Sequence, residues 1–412
     1  MSGRDPKPLP SHVSPRSTCT GRTSHTMSPV SLVDRAARLS RSGLRVIASQ
    51  PRYRLLTAFV ALLLLVGAFT GRYSSSSDDE DGIPYVGPSD AKSVSSSEKT
   101  GFLPVDEATD FCERRRWGPY RARGQRRKIY DMFLINTELD WLEIRLNELD
   151  SHVDYYIILE SNITFQAEEK PLYFQNALKD ARRPWDKFRH KIVHQIVDFS
   201  HAKLDKDDTW EHEHFTRNAL LNQALRSLSG TQAPDQGDVL LVGDIDEIPR
   251  ISTLTALRNC AFPPRVTLRS QFYYYSFQWL HRGVQWHHPQ ATYFNGYDDT
   301  VQPEELRSGK SHSELYNAAW HCSSCFPSIA DMKNKITSFS HKGYNQPYFL
   351  DEQRLLQNVR MGRDLFERET EIFDRVEDNP DLPTYLKGDH DGKYDYMLSR
   401  DPPNANFKDV NV

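Results

Sequence analysis

The sequence is short of net charge, of cysteine and of internal repetition. Its formal net charge is −4 over 412 residues, so nothing in the overall charge points to a nucleic-acid partner. Its five cysteines include one C-x-x-C pair and no second, so a zinc site built from two such pairs is excluded. The absence of a repeat excludes solenoid and propeller folds. Apolar residues still make up 38% of the chain, which is enough for a substantial core.

Only one long apolar run is present, over residues 55–71, and it carries no charge. A membrane-spanning helix needs about 17–25 such residues, so this run is at the short end. Residues 1–54 carry ten Arg and Lys against two Asp, which predicts a type II single-pass anchor with the rest of the chain lumenal. A cleaved signal peptide fits less well, because the run starts far from Met1 and no small-residue cleavage site stands out. A buried core helix is the other alternative.

Composition divides the chain into five parts. Residues 1–54 are rich in Ser, Pro and Arg and are predicted to be a disordered cytosolic tail. The anchor over 55–71 is followed by a Ser-rich and acidic flexible stem over 72–127. The main folded domain is expected over 128–366. Residues 367–412 are expected to be a loosely held C-terminal extension.

Four cysteines lie beyond the apolar run, in the part predicted to be lumenal. Cys112, Cys260, Cys322 and Cys325 allow two disulfides in an oxidising compartment, with three alternative pairings. The C-x-x-C pair is better explained by a disulfide than by half a zinc knuckle or a redox pair. Asn162 begins an N-glycosylation sequon, which suits lumenal exposure. If Asn162 instead lies in a binding cleft, we expect it to be unglycosylated.

From residue 128 onwards, apolar segments typical of strands alternate with amphipathic helical segments. This alternation predicts an α/β fold, Rossmann-like, with a mostly parallel central sheet and helices on both faces. Open sheets of this kind bind ligands at the carboxyl ends of their strands. A long, aromatic, β-prone segment follows over 265–280. The predicted strands cover 129–136, 153–160, 190–197 and 238–243, and the predicted helices cover 138–149, 170–181 and 211–228.

The sharpest motif, GDIDEIP, follows the fourth predicted strand. Alternate residues of an extended segment face the same side, so Asp244 and Asp246 are predicted to point together. Two carboxylates in a cleft call for a cation, and hard oxygen ligands suit Mg²⁺ or Mn²⁺. Such an ion would neutralise the charge of a departing diphosphate. A solvated acidic turn is the alternative.

Four segments in order resemble glycosyltransferase family 17. They are YDMFLINTELDWLEIRLNEL (130–149), VDYYIILESNITF (153–165), GDIDEIP (243–249) and AWHCSSCF (319–326). The resemblance runs from about residue 128 to 366 and implies that this stretch is the catalytic domain. It implies an A-type nucleotide-sugar transferase fold, UDP-N-acetylglucosamine as donor, a divalent metal and an inverting transfer. It also implies a glycan or glycoprotein acceptor and a Golgi type II membrane location.

Polar residues after the first two strands are expected to hold the nucleoside of such a donor. Asn136 and Glu138 follow the first strand, and Glu160 and Ser161 follow the second. Capping of the next helix is an equally good explanation for Glu138, because a carboxylate is favourable at a helix N-terminus.

Two further residues each have a functional and a structural interpretation. Arg217 could bind a diphosphate through its forked guanidinium, or form a salt bridge with Glu213 one helical turn earlier. His321 could be a late third ligand to the metal, or a packed histidine. The aromatic side chains over 273–279, with Trp286, could stack on sugars, although β-core packing explains most of them.

An inverting transferase also needs a base within hydrogen-bond reach of the acceptor hydroxyl. Glu314 is preferred because it lies a few residues before His321, and Glu247 is the next choice. Asp351 and Glu352 are further candidates.

Three other functions compete with a family 17 transferase. The same fold could use another nucleotide sugar, or the chain could be an inactive lumenal carbohydrate-binding protein. Retention of both Asp244 and Asp246 disfavours the inactive form. An aspartate-based phosphohydrolase is disfavoured because no Thr follows Asp246 at the usual spacing and no downstream Lys stands out.

Overall fold

The computed structural model describes residues 101–121, 126–180, 184–205 and 208–411. The predicted tail, the predicted anchor and the first part of the predicted stem lie outside these residues. Within the described ranges, no helix combines the length and apolar character needed to cross a bilayer.

The strands form one large sheet and one small pair. The larger sheet has ten strands in the order β12-β9-β8-β10-β5-β2-β3-β4, with β11 beside β8 and β6 beside β11. The pair is β1 with β7. In chain order the strands are β1 (Gly118–Pro119), β2 (Ile129–Ile135), β3 (Tyr155–Glu160), β4 (Ile192–Ile196), β5 (Val239–Asp244), β6 (Glu247–Pro249), β7 (Cys260–Ala261), β8 (Val266–Tyr274), β9 (Ser276–His281), β10 (Gln290–Tyr293), β11 (Ser313–Ser323) and β12 (Phe373–Arg375).

All four predicted strands are present as β2, β3, β4 and β5, and they run parallel to one another. The expectation of a mostly parallel sheet is nevertheless wrong, because the second half of the chain adds antiparallel strands. β10 lies antiparallel between β5 and β8, and β9 returns antiparallel along β8. The aromatic segment turns at Tyr275, whose φ is 65°, and strands joined by so tight a turn must be antiparallel. The sheet is therefore mixed.

The first and third predicted helices are present, at Leu139–Leu149 and from Thr209 onwards. The second predicted helix is much shorter than expected, at Tyr173–Ala177. The third begins at Thr209 because the Asp208 side chain accepts hydrogen bonds from the backbone N–H groups of Trp210 and Glu211. It continues through a π-turn over Leu220–Ala224. The α-helices are α1 (Val105–Glu113), α2 (Leu139–Leu149), α3 (Tyr173–Ala177), α4 (Thr209–Ala219), α5 (Ile251–Asn259), α6 (Pro303–Ser308), α7 (Ile329–Ser338), α8 (Glu352–Met361) and α9 (Asp395–Leu398), and short 3₁₀ turns cover Asp186–Phe188, Leu225–Ser227, Gly230–Gln232, Lys342–Tyr344 and Thr384–Lys387.

Helices cover both faces of the parallel strands, as predicted. Alternate residues of β2 point to opposite faces. Phe133 packs in one core with side chains of α2 and α5, whereas Met132 packs in another core with apolar residues at the end of α4. Met132 and Phe133 are both fully buried, so β2 is a central strand with a core on each face. Its burial fixes the position of the polar residues that follow it.

The folded unit extends beyond both of its predicted boundaries. Helix α1 lies within the expected stem, and a Cys112–Cys260 disulfide ties it to the start of β7, which corrects the boundary at residue 128. The extension over 367–412 is not loose either. Arg400 is fully buried and donates to the backbone carbonyls of Tyr275 and Phe326. Since both ends pack on the sheet, they belong to the same folded unit.

Candidate active site

The edge where the parallel strands end carries most of the predicted site residues. Asp244 ends β5 and pairs in register with Leu134, and Glu160 ends β3 opposite Ile135. Asn136 follows directly. The prediction that these strand ends share one edge is therefore confirmed.

The turn after β5 is built around Gly243 and Glu247. A Cβ on Gly243 would lie 2.9 Å from Cβ of Pro289 and 3.3 Å from Oε2 of Glu247, so only glycine fits this approach. Glu247 folds back and accepts a hydrogen bond from the backbone N–H of Asp244 at 2.8 Å. The GDIDE sequence thus forms a tight, fixed turn.

Arg145 on α2 fixes the backbone of the same turn through hydrogen bonds to its carbonyl oxygens. Its Nη1 donates to the carbonyl oxygens of Asp244, Ile245 and Glu247 at 2.9, 3.1 and 2.8 Å. Its Nε and Nη2 bind both carboxylate oxygens of Asp131 at 2.7 Å. Arg145 and Asp131 are both fully buried, and a buried pair of this kind needs all of its donors satisfied. The pair fixes the backbone of the turn relative to β2.

Asp244 is occupied by two guanidinium groups. Oδ1 accepts from Arg217 at 3.0 Å, and Oδ2 accepts from Arg307 on α6 at 3.1 Å. Partial burial alone would raise the pKa of Asp244, but the charges of Arg307 and Arg217 outweigh it and hold the pKa well below its usual value. Asp244 is therefore ionised, and both of its oxygens are engaged.

Glu247 is completely buried and fully bonded. Arg307 contacts both of its oxygens, at 2.8 and 3.2 Å, and the indole N–H of Trp286 donates to Oε1 at 2.8 Å. Burial would raise its pKa, but the Arg307 charge lowers the pKa of Glu247 to about 2. A carboxylate held in this way is an anchor for the turn, and the structure leaves it no free oxygen with which to take a proton from an acceptor.

Asp246 is in a different position from its two acidic neighbours. Its carboxylate lies 3.6 Å from Nδ1 of His321 on β11, and both side chains are buried. Burial, helped by the nearby charges of Asp244 and Glu247, raises the pKa of Asp246, although His321 and Lys335 oppose it. Nδ1 of His321 has no hydrogen-bond partner in the described part of the chain. A buried carboxylate and an unsatisfied imidazole nitrogen face each other.

This arrangement fits a divalent cation in part. Asp246 offers a carboxylate, which suits Mn²⁺ or Mg²⁺ when phosphate oxygens and water complete the shell, and His321 offers an imidazole, which suits a transition-metal ion such as Mn²⁺ better than Mg²⁺. The described residues contain no group of three or more His, Cys, Asp and Glu placed to hold a metal by themselves. Asp244, which was predicted to share the ion with Asp246, instead contacts the two arginines.

Arg217 makes the salt bridge that was its structural alternative, and two further contacts. Besides Asp244, it contacts Glu213 at 2.8 Å and Glu304 at 3.4 Å. Lys335 on α7 adds a third cation and lies 3.9 Å from Glu138. Burial opposes its charge, but the carboxylates of Glu138, Asp246 and Asp244 raise the pKa of Lys335. The side chain of Lys335 is 40% exposed, which makes it far more accessible than Arg217.

The residues expected to hold a nucleoside are mostly used inside the fold. Glu138 accepts from the backbone N–H of Asn136 at 3.0 Å as α2 begins. Glu160 accepts from the backbone N–H groups of Phe174 and Gln175 at 2.8 and 3.0 Å, and so caps α3. Ser161 bonds only to Ile163 among the recorded contacts. Oδ1 of Asn136 is buried with no partner in the described ranges, so it keeps a free acceptor.

Glu314 lies away from the other predicted site residues. It pairs in register with Thr267, whereas His321 pairs with Phe272, five residues farther along β8. At about 3.3 Å per residue, this separation is roughly 15 Å. Its two oxygens bind Arg269 at 2.7 and 3.0 Å. Closeness in sequence was misleading here, because β11 is extended between Glu314 and His321.

Three important residues were not singled out from the sequence, Arg145, Arg307 and Lys335, and Trp286 was considered only as a sugar-stacking or core aromatic and not as a hydrogen-bond donor to Glu247. Asp131 was the available signal for Arg145, since a lone acid within an apolar central strand needs a buried cation. Arg307 and Lys335 lie in ordinary polar helices, 63 and 91 residues after Asp244 (307 − 244 and 335 − 244). Nothing local marks them, and only the fold brings them to the site.

A sequence comparison extends over most of this structure. The sequence profile of glycosyltransferase family 17 matches residues 103–397. This range is more than half of the chain and includes every site residue described above. The chain belongs to glycosyltransferase family 17. The matched range also begins within the expected stem, in agreement with the packing of α1.

Curated relatives match a smaller part of this family 17 chain. The β-1,4-mannosyl-glycoprotein 4-β-N-acetylglucosaminyltransferase of Rattus norvegicus is 31% identical over 123 residues, which cover 30% of this chain and 22% of the relative. The proteins of the same name from Homo sapiens and Mus musculus are 30% identical over the same shares. The chain thus spans about a fifth of the length of the curated relatives it matches.

Proposed function

We propose that this family 17 protein transfers N-acetylglucosamine from UDP-N-acetylglucosamine to a mannose-containing glycan of a glycoprotein, with inversion at the sugar. Family membership supports sugar transfer, and the names of the relatives support the sugar and the acceptor class. The single observation that carries the proposal is the cluster of fixed charges at the carboxyl edge of β5, where Asp246 faces the unsatisfied Nδ1 of His321.

The arrangement of charge suits an activated sugar with a diphosphate. Asp244, Glu247 and Arg307 form a rigid base, because each is bonded to the others or to the turn. Lys335 is the accessible cation above this base, and we assign it to a phosphate oxygen of the donor. Preorganised charges of this kind need little rearrangement as the leaving group becomes more negative.

We propose Asp246 and His321 as the protein ligands of a divalent cation, Mn²⁺ or Mg²⁺. When bound, such an ion supplies positive charge to a departing diphosphate. The buried Asp246 carboxylate facing Nδ1 of His321 at 3.6 Å supports this assignment. Burial raises the pKa of Asp246, so a bound cation would favour its charged form. Asp244 acts beside it as a positioning residue, held by Arg217 and Arg307.

The location proposed for this enzyme is the Golgi membrane, with the catalytic unit in the lumen. The apolar run over 55–71 and its basic flank support a type II anchor. The two disulfides, Cys112–Cys260 and Cys322–Cys325, are compatible with an oxidising compartment. Asn162 of the sequon is exposed and therefore remains available for glycosylation.

Donor hydrolysis tests the proposal directly. The purified full-length chain is incubated with UDP-N-acetylglucosamine, other UDP-sugars and GDP-mannose, each with Mn²⁺ and with a chelator. We expect nucleotide release from the first donor alone, and only with metal. Asp374→Asn, in an exposed salt bridge on β12, is the control for Asp246→Asn. Release from a different donor, or from none, would refute the proposed donor, and the second result would favour an inactive carbohydrate-binding protein.

A further inference from the structure

A cavity lies beside the charged cluster, between the chain that follows β3 and one face of α7. Its volume is about 770 Å³, within the range of about 300–1,000 Å³ that is usual for small-ligand sites. Polar side chains make up most of its wall, with one aromatic ring. Its lining includes Thr164, Gln166, Lys170, Tyr173, Asn334 and Asn345.

Two of these side chains present hydrogen-bond donors that nothing in the described residues satisfies. Nζ of Lys170 and Nδ2 of Asn334 are buried and have no partner there. Burial lowers the pKa of Lys170, although the charges of Glu160 and Glu138 oppose the shift. Leaving a buried donor without a partner costs about 1–3 kcal/mol. A ligand that offers acceptor atoms to both donors would recover this cost.

The neighbouring amides in the wall are already engaged. Nε2 of Gln166 donates to the carbonyl oxygen of Phe339 at 2.9 Å, and Nδ2 of Asn345 donates to Oε1 of Gln166 at 3.1 Å. These bonds join the loop after β3 to the chain after α7. The wall is fixed, and Lys170 and Asn334 are the donors that it leaves for a ligand.

The cavity adjoins the proposed diphosphate position through α7. Asn334 faces the cavity, and the next residue, Lys335, faces the charged cluster. Glu138 connects the two regions, since it lies 3.9 Å from Lys335 and interacts electrostatically with Lys170. A donor with its diphosphate at Lys335 can therefore place its base in the cavity, which Asn334, the preceding residue of α7, lines.

We propose that this cavity binds the uracil base of the donor, with Lys170 and Asn334 as the specificity-determining residues. This assignment rests on the proposed function and deepens it. Uracil presents two ring carbonyl oxygens, one for each unsatisfied donor. Cytosine replaces one of them with an amino group, which would set a donor against a donor. The Tyr173 ring also borders the cavity, with Nζ of Lys170 5.5 Å from its centroid.

The proposal places the base at residues other than the acids expected from the sequence. Glu160 ends β3 but turns inward to cap α3. The loop that follows β3 places Lys170 in the wall of the cavity, where an acidic residue was expected to contact the nucleoside. The base is consequently assigned to the ammonium and amide donors, although Glu168 and Glu169 also line the cavity.

Binding of UMP and CMP to the full-length chain tests this assignment separately from turnover. Isothermal titration calorimetry is performed on the unsubstituted protein, Lys170→Met and Asn334→Leu, without metal. Lys179→Met is the matched control, because its ammonium lies on the surface near the end of α3 and bonds only Asn176 among the recorded contacts. Thermal unfolding of each variant confirms that it is folded.

We expect the unsubstituted protein to bind UMP about tenfold more tightly than CMP, which corresponds to about 1.4 kcal/mol. Each cavity variant should weaken UMP binding about tenfold, and loss of the donor that binds O4, where cytosine carries its amino group, should also abolish the preference, while Lys179→Met retains both. With UDP-N-acetylglucosamine, the cavity variants should raise KM and leave kcat unchanged, because base contacts are the same in the ground and transition states.

The outcomes separate this inference from the function on which it rests. Folded Lys170→Met and Asn334→Leu variants that keep the affinity for UMP and its preference over CMP would overturn the cavity assignment, even if the enzyme turns over UDP-N-acetylglucosamine. A chain that binds UMP selectively through these two residues but releases UDP from no donor would support the cavity assignment and refute the proposed transfer.

Discussion

Arg307 provides the sharpest test of the charged cluster. Its guanidinium makes three contacts of 2.8–3.2 Å, two with the fully buried Glu247 and one with Asp244. Arg307→Met would keep much of the side-chain volume but remove the only arginine that contacts the Glu247 carboxylate among the described residues. Glu247 would then be a buried carboxylate with no cationic partner at contact distance.

The expected cost follows from burial. Breaking a buried ion pair by removing one partner typically costs about 3–5 kcal/mol. Arg282→Met is the control, because Arg282 also binds both oxygens of a carboxylate, that of Asp374, but this pair is 62% and 47% exposed. Exposed pairs contribute about 0–1 kcal/mol. For a large domain, roughly 2–4 °C of Tm per kcal/mol predicts a fall of roughly 6–20 °C for Arg307→Met.

The assay is thermal unfolding of both variants and the unsubstituted protein over a range of pH. The pKa of Glu247 is lowered from 4.5 to about 2, so its stabilising contribution is complete above pH 4.5 and is lost as pH falls towards 2. The difference in Tm between Arg307→Met and the unsubstituted protein should therefore shrink over that interval. Equal losses for Arg307→Met and Arg282→Met, or a difference independent of pH, would refute the reasoning.

Three further predictions concern the framework and the cation. Replacing both Cys112 and Cys260 with Ser should lower the free energy of unfolding by about 2–5 kcal/mol, measured by denaturant titration, because α1 loses its tie to β7. Arg145→Lys should reduce donor hydrolysis about tenfold, since an ammonium cannot bind Asp131 and three carbonyl groups together; unchanged kcat would contradict this role. Mn²⁺ affinity, measured by calorimetry, should already fall as the pH is lowered towards 3.8, because burial raises the pKa of Asp246 above that ordinary value. A pH-independent affinity would exclude Asp246 as a ligand.

The sequence was sufficient to predict the parallel strands and the edge they share. β2, β3 and β5 are compact apolar segments followed at once by polar residues, and their parallel order makes those residues neighbours. Hydrophobic pattern carries this information, because a strand buried on both faces is a nearly continuous apolar run, with Asp131 of β2 as the exception. The antiparallel half was not predicted, since the turn at Tyr275 contains no Gly, Pro, Asn or Asp.

The partners of the site residues were harder to predict than the residues themselves. Asp244 and Asp246 were expected to share a cation, but the fold brings Arg217 and Arg307 to the first and His321 to the second. Such pairings depend on contacts between elements that are distant in the chain, and no local spacing encodes them. The charge of Glu160 was likewise read as a ligand contact, although the short helix α3 uses it as a cap.

The central claim is that Asp246 and His321 bind a divalent cation together with the donor diphosphate. Its most direct test is a titration of Mn²⁺ in the presence of UDP, with Asp246→Asn compared with Asp374→Asn. We expect tight UDP-dependent Mn²⁺ binding to the unsubstituted protein and to Asp374→Asn. In Asp246→Asn the Mn²⁺ affinity should fall about a hundredfold, or about 2.7 kcal/mol. Undiminished Mn²⁺ binding by folded Asp246→Asn would contradict the account.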